Sequence, residues 1–363
     1  LGAPYVFLLV LRCIISPCYS YWSAKLRYEF QFKPVVALTL VLTIATPAIS
    51  IPAIWFSTDK LAAALIAQVA VMAVVYLVPL VSIVSKSRKF FCLAYWRYAL
   101  RFNLPLIPHL LSTVVLQQCD RIMIADLCGA AYAAIYNVAY SAGLAMSFIH
   151  GAIVQALTPW MYQLIKERQY DKVQPVAASL LILIGSASFL LTLFAPEVMA
   201  VLAPSSYQEG IYAIPPVAAC VMLMTAFNLF VTVEYFYEET LWVMLASMAA
   251  AVLNVVLNLV LVPVFGFIAA GYTTMFCYFA LVFGHYLLMR RAIRRHNPGM
   301  VLFNAPRIFF IVLAFMAATV ACSAIYPYPW VRYALVVLFA VVVLFKRAWI
   351  VGTVKSILQI KGR

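Results

Sequence analysis

Charge is scarce in this chain. Asp, Glu, Lys and Arg together supply 10% of its 363 residues, against about a quarter in an ordinary soluble domain. Acidic residues number only 11 and histidines four. With so little polar surface, one globule of this length cannot keep its apolar residues out of water. A soluble enzyme is therefore excluded, as are disordered and fibrous chains. Short catalytic signatures are missing as well: the sequence holds no Walker A loop, HExxH, GxSxG or CxxC pair. Nothing in it points to ATP hydrolysis, metalloprotease or acyl-transfer chemistry. The chain is expected not to be an enzyme and to need no cofactor or metal. The eight cysteines (Cys13, Cys18, Cys92, Cys119, Cys128, Cys220, Cys277 and Cys322) lie mostly inside apolar runs. They read as small buried hydrophobes, forming neither a disulfide framework nor a zinc site. The first residue is Leu1, with no signal-peptide pattern behind it.

Apolar residues are what the chain has in excess. AVILMFWYC make up 67% of it, and the mean hydropathy is +1.02. A bilayer core of about 30 Å needs about 20 apolar residues in a helix. Eleven stretches meet that need, over 2–20, 35–55, 61–84, 104–125, 131–160, 175–195, 211–233, 241–262, 266–288, 308–326 and 330–346. Membrane strands would alternate polar and apolar residues over about ten positions, and these runs do not. The expected fold is all-α, a polytopic transmembrane helix bundle.

The basic residues orient the spans. Net charge is +14, with 25 Lys and Arg, which in a soluble protein would suggest nucleic acid. Here the cations sit in short connectors: Lys25, Arg27 and Lys33; Lys86, Arg88, Lys89, Arg97 and Arg101; Lys166, Arg168 and Lys172; Arg290, Arg291, Arg294, Arg295 and Arg307; and the tail from Lys346 to Arg363. The opposite connectors hold Lys60, Arg121 and Arg332. The positive-inside rule makes the first set cytoplasmic, so no nucleic-acid partner is expected. The C-terminus is then inside and Leu1 outside, which predicts an odd number of further spans upstream. Tyr and Trp near the span ends, such as Tyr19, Trp22, Trp55, Tyr95, Trp96, Trp160 and Trp330, form the interfacial belt. Residues 86–103 interleave cations and aromatics at helical spacing and are expected to lie along the cytoplasmic interface as an amphipathic linker.

Two stretches go beyond composition. One is Arg101-Phe-Asn-Leu-Pro-Leu-Ile-Pro-His109, followed by Cys119-Asp-Arg-Ile-Met-Ile124 and Gly129. The other is Asn254-Val-Val-Leu-Asn258-Leu-Val-Leu-Val-Pro263-Val-Phe-Gly266-Phe-Ile-Ala-Ala-Gly271. Together with Tyr136-Asn-Val-Ala-Tyr140 and Pro159, they resemble the polysaccharide-transporter branch of the multidrug/oligosaccharidyl-lipid/polysaccharide exporters, which contains the O-antigen and exopolysaccharide flippases. The similarity spans roughly residues 100–290 and is more specific for the superfamily than for its cargo.

The resemblance implies a two-lobed exporter-like fold around a central cavity. Residues 1–85 would be the remainder of an N-terminal lobe, about three spans, and 86–103 the linker. Residues 104–290 would form a six-helix C-terminal lobe, and 291–363 two additional spans with a cytoplasmic tail. Three spans would then be missing upstream, an odd number. The resemblance further implies an undecaprenyl-pyrophosphate-linked oligosaccharide as cargo and alternating access in the bacterial inner membrane. Membrane lipid, a polysaccharide polymerase and a chain-length regulator are the implied partners. Three other readings stay open: a peptidoglycan-precursor flippase, a multidrug or cation exporter of the same superfamily, and a membrane polysaccharide polymerase.

Several polar residues within spans are candidates for cargo contact, each with a plainer reading beside it. Arg12 lies about 10 Å from the inner aromatic belt at 1.5 Å per residue. It would hold a pyrophosphate or simply snorkel to the interface. Asp120 and Arg121 sit about 24 Å along a helix starting near Leu104 and point about 100° apart, so they need not pair with each other; they read as gating residues, with a structural interlobe ion pair the plainer reading for Asp120. His109 and His150 could titrate near neutral pH or pack as neutral rings. Gln117, Gln118, Asn137 and Gln155 could bond sugar hydroxyls or neighbouring helices. Asn254 and Asn258 share a helical face and read as interhelical glue, while Pro263 and Gly266 read as a tight turn. Glu234, Glu238 and Glu239 read as a solvated acidic loop.

Overall fold

The structure, a computed structural model, describes residues 3–86 and 91–345. Arg88 and Lys89 of the linker, Leu1, and the basic tail from Lys346 to Arg363 lie outside the described residues. Among the described residues every regular element is a helix. Ten stretches are long and apolar enough to cross a membrane: Tyr5–Tyr28, Phe32–Phe56, Lys60–Ser85, Leu93–Leu127, Ala130–Lys166, Tyr170–Leu193, Ser205–Phe236, Thr240–Phe265, Ala269–His296 and Ala305–Ile325. The eleventh expected span is a shorter apolar helix, Pro329–Phe345. The chain is a multi-pass membrane protein.

The chain divides into two compact units, Leu1–Trp96 and Arg97–Arg363. The first contains α1 (Ala3–Tyr28), α2 (Phe32–Phe56), α3 (Lys60–Val75) and α4 (Leu77–Lys86). Its small core joins Trp22, Leu26 and Val35. The Tyr19 ring stacks on Tyr76 at 5.0 Å, and its hydroxyl meets Thr39 at 2.6 Å. Helix α1 runs past the Tyr19 belt to Tyr28. Ser20 and Ser23 bond back to carbonyls of their own helix, so polar residues do not end it.

Helix α5 (Leu93–Asn103) contains the boundary between the units and buries none of its residues. The second unit continues with α6 (Leu106–Leu127), α7 (Ala130–Gly143), α8 (Ser147–Lys166), α9 (Val173–Leu193) and α10 (Ala195–Leu202). After them come α11 (Ile214–Phe236), α12 (Thr240–Phe265), α13 (Ala269–His296), α14 (Ala305–Ala321) and α15 (Pro329–Phe345). Helix α11 is the axis. It carries few polar residues and is buried on nearly every side, as a helix without a broad polar face is expected to be.

Two glycines permit close geometry. Gly143 ends α7 against α11, where a Cβ would stand 2.8 Å from Val217 Cγ1. Gly266 caps α12 at φ +77°, the region glycine occupies without strain. Its N–H bonds the Val262 carbonyl at 2.9 Å, and α13 starts three residues later. Pro263 lies inside the last turn of α12. That short connection makes α12 and α13 antiparallel neighbours.

Candidate functional site

The most polar point inside the second unit is Asp120, which has no exposure at all. It accepts from Tyr136 Oη at 2.9 Å on α7, from Asn258 Nδ2 at 2.7 Å on α12 and from Thr274 Oγ1 at 2.7 Å on α13. Asn254 Nδ2 donates to Thr274 Oγ1 at 3.0 Å, and Thr273 donates to Asn258 Oδ1. One carboxylate thus ties four helices together through neutral donors. Three donors can hold a buried carboxylate that would otherwise be costly. Asp120 bonds neither Arg121 nor, among the described residues, any other cation. As expected for consecutive helical residues, which point about 100° apart, Arg121 turns out of the knot.

Arg121 is half-buried on the other face of α6. Its guanidinium stands 4.4 Å above the Tyr140 ring and donates to Gln118 Oε1. Gln118 and Asn137 are exposed and Gln117 is half-buried. Arg121 lies six residues before the end of α6, and Asn137 seven after the start of α7, so both sit about 9–10 Å from the α6–α7 turn. The hairpin therefore presents a cation and amides on one stretch of a membrane-spanning pair. A guanidinium is suited to phosphate oxygens and amides to hydroxyls.

The histidines are committed to neighbours. His109, on α6, meets Ser247 Oγ of α12 at 2.7 Å through Nδ1. His150, on α8, meets Thr225 Oγ1 at 3.0 Å through Nδ1 and Asn228 Nδ2 at 3.4 Å through Nε2. Both rings are buried. Gln155 is exposed on α8. Arg12 is exposed on α1 in the first unit, within electrostatic reach of Tyr76.

Glu234 corrects the expectation of a solvated acidic loop. Helix α11 runs on to Phe236, which carries Glu234 into the interior, where its Oε1 lies 2.9 Å from His285 Nδ1 with neither side chain exposed. Of the other two acids, Glu238 is exposed, and Glu239 engages Arg295 and His296.

Other partners escaped the sequence reading. His285 stood inside an apolar run, where an ionisable residue is itself a signal. Thr225, Asn228, Ser247, Thr273 and Thr274 carry no such mark. Glu197 of α10 takes a two-pronged bond from Arg332 of α15 at 2.7 and 2.8 Å, with Tyr333 Oη adding 2.8 Å. The Arg332 guanidinium, then Tyr333, hold the Glu197 carboxyl below its ordinary value despite partial burial. All eight cysteines are free. Among the described residues no group of three or more His, Cys, Asp or Glu could hold a metal ion.

Residues 1–165 match the family described as polysaccharide biosynthesis protein. The match takes in α1 to α7 and most of α8, hence Asp120, Arg121 and Asn137, and ends before the Asn254–Gly271 stretch. No curated protein matches the chain. Among solved structures, lipid II flippase MurJ in its inward closed conformation aligns over 95% of this chain and 82% of that chain, at 12% identity and a TM-score of 0.49. The family match overlaps the stretch in which the sequence resembles polysaccharide exporters at residues 100–165.

Proposed function

We propose that this chain is a flippase for a lipid-linked oligosaccharide, moving the pyrophosphate and sugars of an undecaprenyl carrier across the bacterial inner membrane. The observation that carries this reading is Arg121, a half-buried guanidinium about 9 Å inside a membrane-spanning hairpin, bonded to Gln118 on a stretch that also exposes Asn137. A cation in lipid is expensive, about 2.5–3.5 kcal/mol on insertion scales, and a wet passage for an anionic headgroup removes that cost. The family match over residues 1–165 supports the same cargo class.

In this reading Arg121 meets the pyrophosphate, while Gln117, Gln118, Asn137 and Gln155 meet sugar hydroxyls. Arg12 is a further open cation available to a phosphate. Asp120, His109 and His150 hold helices in place, because every bond they make runs to a neighbouring helix. The cargo crosses by alternating access, with the C-terminus cytoplasmic. Residues 1–85 serve as the rest of an N-terminal lobe, 86–103 as an interfacial linker, 104–290 as a C-terminal lobe and 291–363 as two added spans and a tail. A polysaccharide polymerase and a chain-length regulator would receive the repeat units, in the O-antigen or exopolysaccharide branch of cell-surface synthesis.

Deleting the gene and restoring it as wild type or as Arg121→Ala tests this. The proposal expects lipid-linked repeat units to accumulate on the cytoplasmic leaflet in the deletion strain and with Arg121→Ala. Normal surface polysaccharide in a deletion strain without a redundant homologue overturns it. Accumulation of peptidoglycan precursor instead reassigns the cargo.

A further inference from the structure

Glu234 and His285 form a second buried ionisable group that the cargo path does not use. Their contact joins α11 to α13. Two atoms at its outer ends, Glu234 Oε2 and His285 Nε2, are buried without a hydrogen-bond partner. The Phe227 ring closes the His285 side, edge-on at 4.9 Å. The titratable groups facing the pair are Tyr235 beside Glu234 on α11, Glu239 just past its end, and His109 of α6, whose ring lies 6.5 Å from both Phe227 and Tyr235. Glu239 is itself engaged by Arg295 and His296.

The 2.9 Å contact needs one proton between carboxyl oxygen and ring nitrogen. An ionised pair would leave a carboxylate oxygen and an imidazolium N–H dry and unbonded, which the low dielectric penalises more than a neutral pair. Glu234 stands only two residues before the end of α11. The connector that follows, Tyr237–Glu239, holds the exposed Glu238. Water is therefore about one turn away.

We propose that Glu234 and His285 are a one-proton binding site, loaded while the pair is dry and discharged to water at the Tyr237–Glu239 connector when α11 and α13 part. In discharge the O–H or N–H bond breaks, the proton passes to water, and the pair is left as carboxylate and neutral imidazole. Reloading reverses the step. The site itself stands on geometry, whereas its use to drive transport rests on the flippase reading.

Infrared spectroscopy of the purified full-length protein reads the proton directly. At neutral pH the wild type should show a carboxylic-acid carbonyl band that carbon-13 glutamate labelling shifts. That shift assigns the band to glutamate and leaves Asp120 aside. Glu234→Gln should remove the band and Glu239→Gln should keep it. If Glu234→Gln does not fold, His285→Gln replaces it: the labelled band should move when the partner of Glu234 changes, and a band that stays in place overturns the proposal. Absence of a labelled acid band, or a band unchanged in Glu234→Gln, overturns the proposal. In transport assays Glu234→Gln should flatten a pH response that in wild type approaches tenfold per pH unit for a single proton. A band that behaves as expected beside a failed oligosaccharide assay would leave the proton site standing and remove the cargo reading.

Discussion

Asn258 of α12 donates its amide to the Asp120 carboxylate of α6 across 2.7 Å. The same Asn258 accepts from Thr273 of α13. Truncating it therefore breaks the knot at two places and leaves Asp120 short of a donor. Asn258→Ala should lower stability by about 1–2 kcal/mol. Asp120→Ala should cost more, because the Tyr136, Thr274 and Asn258 donors all lose their acceptor. Asp120→Asn, which keeps the shape, should cost less than Asp120→Ala. Thermal unfolding in detergent ranks the three variants, and an Asp120→Ala protein as stable as wild type contradicts the account.

Gly143 sits where α7 packs against α11. A methyl at that position would stand 2.8 Å from Val217 Cγ1, so Gly143→Ala should cost about 1–3 kcal/mol as overpacking. Val217→Ala in the same chain removes the Cγ1 contact and keeps Val217 Cβ, 2.9 Å from the added methyl, so it should recover only part of that loss. Two independent, additive losses in the double variant would show that the clash is not the cause.

Glu197 and Arg332 fasten α15 to the rest of the second unit near the end of α9, where Arg332 Nη1 also donates to the Leu193 carbonyl at 2.8 Å. Since the folded carboxyl titrates below its unfolded value, the pair adds stability above that unfolded value, about pH 4.3. The contribution fades as pH falls through the lower folded value. Partial exposure of Glu197 keeps the effect small. Thermal unfolding in detergent should therefore show this part of the stability disappearing as pH falls through the folded Glu197 value. Glu197→Gln should show the loss already at neutral pH, with no further acid step from this pair.

Arg121 should matter to transport more than to folding. Arg121→Ala is expected to reduce headgroup translocation by about tenfold or more, the scale of one lost charge-assisted bond. Its melting temperature should change little, since its hydrogen bonds stay within its own helix and its contact with α7, over the Tyr140 ring, is worth about 0.5–1 kcal/mol. Arg121→Lys should recover part of the rate, because it keeps the charge and loses the planar fork. Equal losses of stability and transport in Arg121→Ala would make the residue structural.

The helices were readable because lipid imposes their length. The run expected over 241–262 is α12 at Thr240–Phe265, and that over 175–195 is α9 at Val173–Leu193. The partners of polar residues were not readable. Glu234 and His285 are 51 positions apart, and Asp120 and Asn258 138 apart. Which side chains meet depends on how each helix turns about its axis, and an apolar run of uniform greasiness says little about that turn. Glu234 was misplaced for a local reason. Three acids in six residues resemble a loop, but only the last two lie beyond the end of α11. Asn254 and Asn258 were the exception. Spacing of four in an otherwise apolar helix put both amides on one face, and both enter the buried knot.

Water at the Arg121 face is the point on which the account depends most, and cysteine accessibility measures it. In a cysteine-free background, Gln118→Cys and Asn137→Cys should react readily with a membrane-impermeant thiol reagent. Val256→Cys, at a 50% exposed position of α12 whose neighbours one turn away, Val252 and Val260, are exposed and apolar as well, should stay unlabelled. Protection of Gln118→Cys and Asn137→Cys to the level of Val256→Cys would place the guanidinium against lipid and contradict a passage for a charged headgroup.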